Sequence, residues 1–223
     1  MESSAEADYI IKLILMGDSG CGKTSILARY NNPDPGHNIP THATIGYDFS
    51  SKLYEQDDKV IQVHVWDTTG QEKYKSLIKT YYKKAMAAIL VYDITKEETF
   101  ENCNNWLKQL RNSGEPGCEV MLVGNKIDLE VERAVKTEEG MKFAEEKNIQ
   151  FFETSAREGL NVKEVFDALL NKVLEKIKRL EGSDSKQNVD SREEESIDAY
   201  KKSINSQLSR SIKQSRKKKG CAC

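Results

Sequence analysis

Eight residues, Gly17-Asp18-Ser19-Gly20-Cys21-Gly22-Lys23-Thr24, constrain this chain more than any other stretch. An apolar run, Ile10-Ile11-Lys12-Leu13-Ile14-Leu15-Met16, precedes them and reads as a buried strand. Ser25-Ile26-Leu27-Ala28-Arg29-Tyr30 follows and reads as a helix. Strand, Gly-x-x-x-x-Gly-Lys-Thr and helix in succession predict a loop that wraps a phosphate. Its glycines let the backbone curl so that successive N–H groups face inward. The helix N-terminus adds unpaired N–H groups and partial positive charge. Ser19, Gly20, Cys21, Gly22, Lys23, Thr24 and Ser25 are the candidates for nucleotide contact. Lys23 is placed to reach the β- and γ-phosphates, and the Thr24 hydroxyl to ligate Mg²⁺.

The loop does not say which nucleotide binds, so the rest of the chain has to. Its 223 residues suffice for one α/β domain and a tail. The net charge of −2 argues against nucleic acid as a bulk partner. The five cysteines, Cys21, Cys103, Cys118, Cys221 and Cys223, show no disulfide-like or zinc-like spacing, which points to a reducing compartment. The acidic, polar start is not a signal peptide, and no apolar run is long enough to span a bilayer.

Residues 1–8 read as a flexible leader and 9–180 as one folded domain. Strands are expected at Tyr9–Met16, Gly46–Glu55, Lys59–Asp67, Ala87–Tyr92, Val120–Val123 and Ile149–Glu153. Helices are expected from the phosphate loop to about Tyr30, from about Lys73 to Lys84, and over Glu97–Ser113, Thr137–Lys147 and Val162–Leu180. Thr137 reads as an N-cap. Three of the four prolines fall between Asn31 and Pro40, which makes that stretch a loop. This order gives an α/β fold: a six-stranded, mostly parallel sheet flanked by about five helices. The ligand belongs at the carboxyl ends of its strands.

Three further strings sit at such strand ends. In Asp67-Thr68-Thr69-Gly70-Gln71-Glu72, Asp67 can hold the hydration shell of Mg²⁺, Gly70 can offer its N–H to a γ-phosphate, and Gln71 can orient an attacking water. In Asn125-Lys126-Ile127-Asp128, the Asp128 carboxylate can accept from both N1–H and the 2-amino group of guanine, and adenine's edge would repel it. Asn125 can tie the loop together, and the Lys126 stem can lie over the base. Backbone N–H groups of Thr154-Ser155-Ala156-Arg157 can donate to the guanine O6; Ser155, Ala156 and Arg157 are the candidates there.

On these strings the chain resembles a Ras-superfamily small GTPase, and within that superfamily it is similar to the Rab family. Thr44-Ile45-Gly46-Tyr47-Asp48-Phe49, Tyr81-Tyr82-Lys83-Lys84-Ala85 and the terminal Cys221-Ala222-Cys223 carry the Rab likeness. The resemblance implies the small G-protein form of the P-loop NTPase fold. It implies a switch that binds GTP and GDP with Mg²⁺ and hydrolyses GTP, with Lys23 and Gln71 as catalytic residues. Thr24, Thr44 and, through water, Asp67 would serve the metal. Residues about 36–48 and 68–84 would be the switch segments. Effector proteins would read Phe49, Trp66 and Tyr81, unless those three simply pack in the core. An exchange factor, an activating protein and a GDP-dissociation inhibitor would be further partners. No arginine finger is evident in the chain, so hydrolysis should be slow without a partner; a finger is worth roughly 10³–10⁵ in rate.

Three departures from the family pattern stand out. Thr69 replaces the usual Ala, and its hydroxyl beside the γ-phosphate is expected to weaken hydrolysis. Lys83-Lys84 stands where relatives have Arg-Gly. Arg157 replaces the usual Lys. No aromatic to cap the guanine face is obvious, His37 being the nearest candidate.

Residues 181–223 read as a disordered tail with segregated charge. Ser183–Tyr200 carries six acids against two bases, and Lys201–Cys223 carries eight bases and no acid. A basic run adds about 1 kcal/mol per charge near an anionic leaflet. Ending in Cys221 and Cys223, it resembles a doubly prenylated membrane anchor rather than a Cys-a-a-X signal. The expected location is the cytoplasmic face of an intracellular membrane, with a cytosolic pool, and the expected role lies in vesicle traffic. The chief alternative is a GTP-holding scaffold with little or no hydrolysis, because of Thr69. An ATP-dependent kinase is disfavoured by Asp128.

Overall fold

The computed structural model describes residues 7–34, 47–68 and 81–182. Six strands form one sheet: β1 (Tyr9–Met16), β2 (Tyr47–Gln56), β3 (Lys59–Thr68), β4 (Ala87–Asp93), β5 (Glu119–Asn125) and β6 (Gln150–Thr154). Their order is β2-β3-β1-β4-β5-β6, with β2 antiparallel to β3 and every other pair parallel. The helices are α1 (Lys23–Asn31), α2 (Glu97–Glu101), α3 (Cys103–Ser113), α4 (Thr137–Lys147) and α5 (Val162–Gly182), with a 3-10 segment at Ile127–Glu132.

Burial explains the strand pattern. All seven residues of β4 are buried, because helices cover both faces of a parallel sheet. On β3, Ile61, Val63 and Val65 are buried and the alternate residues are partly exposed, as a period of two requires. One core layer joins β1 and β3 to α1 and the Val162, Val165, Phe166, Leu169, Val173 stripe of α5. The opposite layer joins β4 and β5 to Trp106, Leu107 and Leu110 of α3 and Ala144 of α4. Among the described residues, no helix is long and apolar enough to cross a membrane.

Between β2 and β3, Asp57 and Asp58 have φ of +52° and +59°. Two consecutive left-handed residues make a turn whose twist matches that of the flanking strands.

Several expectations change. The helix expected over Glu97–Ser113 is two helices, broken at Asn102. Thr137 is not an N-cap. Lys136 holds that position, and its N–H donates to Glu139 Oε2 at 2.8 Å, while the Thr137 hydroxyl donates to Glu153. Asp8, placed in the leader, is tied to the sheet: its N–H donates to the Val60 carbonyl and its carboxylate accepts from the Val60 N–H and Lys59. The last helix runs two residues past the expected domain end, to Gly182. The expected helix before Lys84 falls mainly on residues 69–80, outside the described residues, as do most of the leader and the tail.

Lys84 has φ +62°, in the left-handed region, at a position where the resemblance noted above implies a glycine. A side chain there costs roughly 1–2 kcal/mol, which glycine avoids. Burial, and then the Lys84 charge, also press the pKa of the Lys12 ammonium down to about 8. Lys84→Gly is therefore expected to stabilise the domain by about 0.5–1 kcal/mol after glycine's extra chain entropy, raising the melting temperature by about 2 °C. Calorimetry of the purified protein checks this; a lowered midpoint would show that contacts of the lysine outweigh the strain.

Candidate functional site

Because β1, β3, β4, β5 and β6 run parallel, their carboxyl ends share one edge of the sheet, and the loops leaving them converge. The loop after β1 turns into α1 at Gly22, whose φ is +91°. A Cβ on Gly22 would lie 2.3 Å from Asn125 Nδ2, so only glycine lets the loop meet the base end of the site. Lys23 is 5% exposed and donates from Nζ to the carbonyls of Gly17 (2.8 Å) and Asp18 (2.7 Å). Its ammonium is thus held across the loop it belongs to. Burial lowers its pKa, and the nearby Cys21, Asp67 and Asp18 oppose that shift. Cys21 is fully buried, Ser25 half-buried, and Ser19 and Gly20 face solvent.

The end of β3 brings a carboxylate to the same place. Asp67 is fully buried, and the Thr24 hydroxyl donates to its Oδ2 at 2.5 Å. The Thr68 hydroxyl donates to the Leu15 carbonyl at 2.7 Å and fastens this strand end to β1. A hydroxyl and a carboxylate oxygen in contact are hard donors of the kind Mg²⁺ selects, few enough to leave room for phosphate oxygens and water. The residues fit that ion.

The base end is wired through Asn125, which is 1% exposed. Its Nδ2 donates to the Cys21 carbonyl at 2.8 Å, and its Oδ1 accepts from the Thr154 hydroxyl and the Ala156 N–H, both at 3.1 Å. One amide thereby joins the loops after β1, β5 and β6. Lys126 adopts φ +76°, and its ammonium pairs with Asp93, a fully buried carboxylate at the end of β4, at 2.5 Å. Asp128 Oδ1 accepts from the Ser155 hydroxyl at 2.6 Å; Arg157 approaches Oδ2 at 4.0 Å while its side chain stays largely exposed.

Two of the backbone N–H groups expected to meet a guanine O6 are engaged within the protein. Ser155 N–H donates to Leu160, and Ala156 N–H donates to Asn125. The β6 loop is held instead by a residue that no motif singles out. Arg29 of α1 donates from Nε to the Ala156 carbonyl at 2.9 Å, to the Arg157 carbonyl, and to the Pro33 carbonyl at 3.2 Å. Asp93 is a second residue outside the motifs, although its place at a strand end is a usable signal.

Phe49, Trp66 and Tyr81 form one cluster. The Phe49 and Trp66 rings meet edge-on at 5.3 Å between centroids, and Trp66 and Tyr81 lie 5.6 Å apart. Phe49 is 45% exposed and the other two are half-buried, so the cluster is packed and open to solvent at once. Thr44, Thr69, Gly70, Gln71, His37, Cys221 and Cys223 lie outside the described residues.

A model of the Ras family matches residues 12–175. Among curated proteins, Ras-related protein RABA1c of Arabidopsis thaliana is 45% identical over 168 residues, 75% of this chain and 77% of that one. Ras-related protein Rab11D of Lotus japonicus is 45% identical over 168 residues, 75% and 76% of the two chains. Ras-related protein Rab11B of Nicotiana tabacum is 45% identical over 166 residues, 74% and 76%.

Proposed function

From the premise that the chain belongs to the Ras family of small GTPases, among its Rab-related members, we propose that these strand-end loops are its guanine-nucleotide site. The observation that carries the reading is Asn125, whose one amide side chain locks the phosphate loop to both base-reading loops. Phosphates held by the β1 loop are then at a fixed distance from a purine held by Asp128. Lys23 and the loop N–H groups stabilise charge on the phosphates. Asp128, oriented by Ser155, reads N1–H and the 2-amino group of guanine. Lys126, held by Asp93, lays its stem on the base. Mg²⁺, held by Thr24, Thr44 and, through water, Asp67, supplies charge neutralisation on the β- and γ-phosphates when bound. Gln71 places the attacking water. Gly70 and Thr44 sense the γ-phosphate, so residues about 36–48 and 68–84 switch with its loss.

The domain thus cycles between states that partners distinguish. Effectors read the Phe49, Trp66, Tyr81 cluster. An exchange factor, an activating protein and a GDP-dissociation inhibitor set the cycle, and prenyl groups on Cys221 and Cys223 with the basic run hold the GTP form on the cytoplasmic face of an intracellular membrane. The process served is vesicle traffic. Two charge-assisted hydrogen bonds donated by guanine to Asp128 give a preference for GTP over ATP of roughly 10²–10⁴. Competition between the two nucleotides on purified protein in Mg²⁺ tests this, and an ATP affinity equal to that for GTP would overturn it.

Thr69 sets the pace of the chemistry. On this reading a hydroxyl-bearing residue where relatives carry alanine restrains hydrolysis, so Thr69→Ala is expected to speed single-turnover hydrolysis about tenfold, ~1.4 kcal/mol of barrier. Gln71→Ala should slow it in either background. An unchanged rate in Thr69→Ala would make the threonine a neutral neighbour.

A further inference from the structure

Asp18 enters the phosphate-loop pattern only as one of its unspecified positions, yet both its carboxylate oxygens are taken. Oδ2 accepts from Asn102 Nδ2 and Oδ1 from Trp106 Nε1, each at 2.7 Å. The two donors are four residues apart on one face of the chain, the first at the break between α2 and α3 and the second within α3. Asn102 closes α2, its N–H donating to the Glu98 carbonyl, and opens α3, its carbonyl accepting from the Trp106 N–H at 3.0 Å. Trp106 is 5% exposed, so its indole N–H is aimed from a packed position. Cys103, in the first turn of α3, and Cys21, in the phosphate loop, are both fully buried.

We propose that Asn102 and Trp106 are positioning residues that brace the phosphate loop through Asp18 and so govern how tightly the β-phosphate is held. The loop needs such a brace because it is built on glycine. Gly17, Gly20 and Gly22 have φ of +132°, +79° and +91°, conformations in which glycine has most freedom to lose. Fixing the Asp18 side chain fixes a residue between two of these hinges. The Asp18 and Gly17 carbonyls are also the two that hold the Lys23 ammonium. Displacing Asp18 therefore displaces the main cation of the site along with the loop N–H groups. A loop already in shape binds a phosphate without the cost of ordering it. The base end is untouched, since Asn125, Asp128 and Ser155 share no hydrogen bond with Asp18, Asn102 or Trp106. The brace rests on the reading of this loop as the diphosphate site, and adds to it what holds the loop shut.

A swap of side chains tests it. Asp18→Asn turns an N–H towards Asn102, and Asn102→Asp sets two carboxylates face to face. Each single variant is expected to release fluorescent GDP at least about tenfold faster than wild type, one charge-assisted hydrogen bond being worth that much. The double variant restores the pair with donor and acceptor exchanged, while the amide oxygen introduced by Asp18→Asn still accepts from Trp106. Its release should return to near the wild-type rate. Trp106→Phe, which removes the N–H together with part of the ring, should speed release in wild type by more than it does in an Asp18→Ala background. The readout that a merely structural role would not move is the ratio of GDP to GMP affinity. GMP has no β-phosphate, so the single variants should weaken GDP and leave GMP within about twofold. Single variants that keep the wild-type release rate, a double variant no slower than the faster single, or equal losses for GDP and GMP would each overturn the brace. Wild-type protein that binds no GDP would instead overturn the reading of the loop itself.

Discussion

Replacing Asp128 by alanine is expected to lower GDP affinity by roughly 10²–10⁴ and to erase the preference for GDP over IDP. The expectation rests on where the carboxylate is held. Its Oδ1 takes the Ser155 hydroxyl at 2.6 Å, which fixes the plane of the group. A fixed carboxylate facing the N1–H and 2-amino edge accepts two charge-assisted hydrogen bonds, each worth about 1.5–3 kcal/mol. Hypoxanthine keeps N1–H and lacks the amino group. Wild type should therefore prefer GDP over IDP by roughly 10–10². With alanine at 128 neither bond forms, and the two nucleotides should bind alike. Displacement of a fluorescent nucleotide measures both ratios. A GDP-to-IDP ratio that survives the substitution would assign the 2-amino group to another acceptor.

The phosphate loop was legible because its chemistry is local: glycines, a lysine and a threonine at fixed offsets between a strand and a helix. The buried strands were legible because two covered faces demand unbroken apolar runs, as in β4. The contacts that make the site rigid were not legible in this way. Asp93 meets Lys126 across 33 positions, and Arg29 reaches the Ala156 carbonyl across 127. Such pairs depend on strand order, and an arginine on a helix looks the same whether it meets solvent or three carbonyls. The break at Asn102 escaped for a related reason. Glu97–Ser113 carries no proline or glycine to mark a stop, and the discontinuity matches a hydrogen bond to a loop 84 positions away. Thr137 shows propensity losing to a partner in space, since Glu153 lies near enough to take its hydroxyl.

Adding one methyl group at Gly22 should disable both ends of the site together. At φ +91° an L side chain is strained by roughly 1–2 kcal/mol wherever it points. Here it also points at Asn125 Nδ2, 2.3 Å from where the Cβ would sit. That nitrogen is not a loose tip, because it donates to the Cys21 carbonyl and its amide partner Oδ1 is held by Thr154 and Ala156. Gly22→Ala must push the amide away and leave the carbonyl of the fully buried Cys21 without its donor, at a further cost of about 1–3 kcal/mol. If half or more of this falls on the nucleotide-bound form, GDP affinity drops by roughly 10–10³. The loss should extend to GMP, which distinguishes it from the Asp18 brace: Asn125 carries the displacement into the loop that orients Asp128. Asn125→Ala should then cost less in the Gly22→Ala background than in wild type, because one of its three hydrogen bonds, that to the Cys21 carbonyl, is already broken. Additive losses in that double variant would mean that the two loops are held in register by some other contact than this amide.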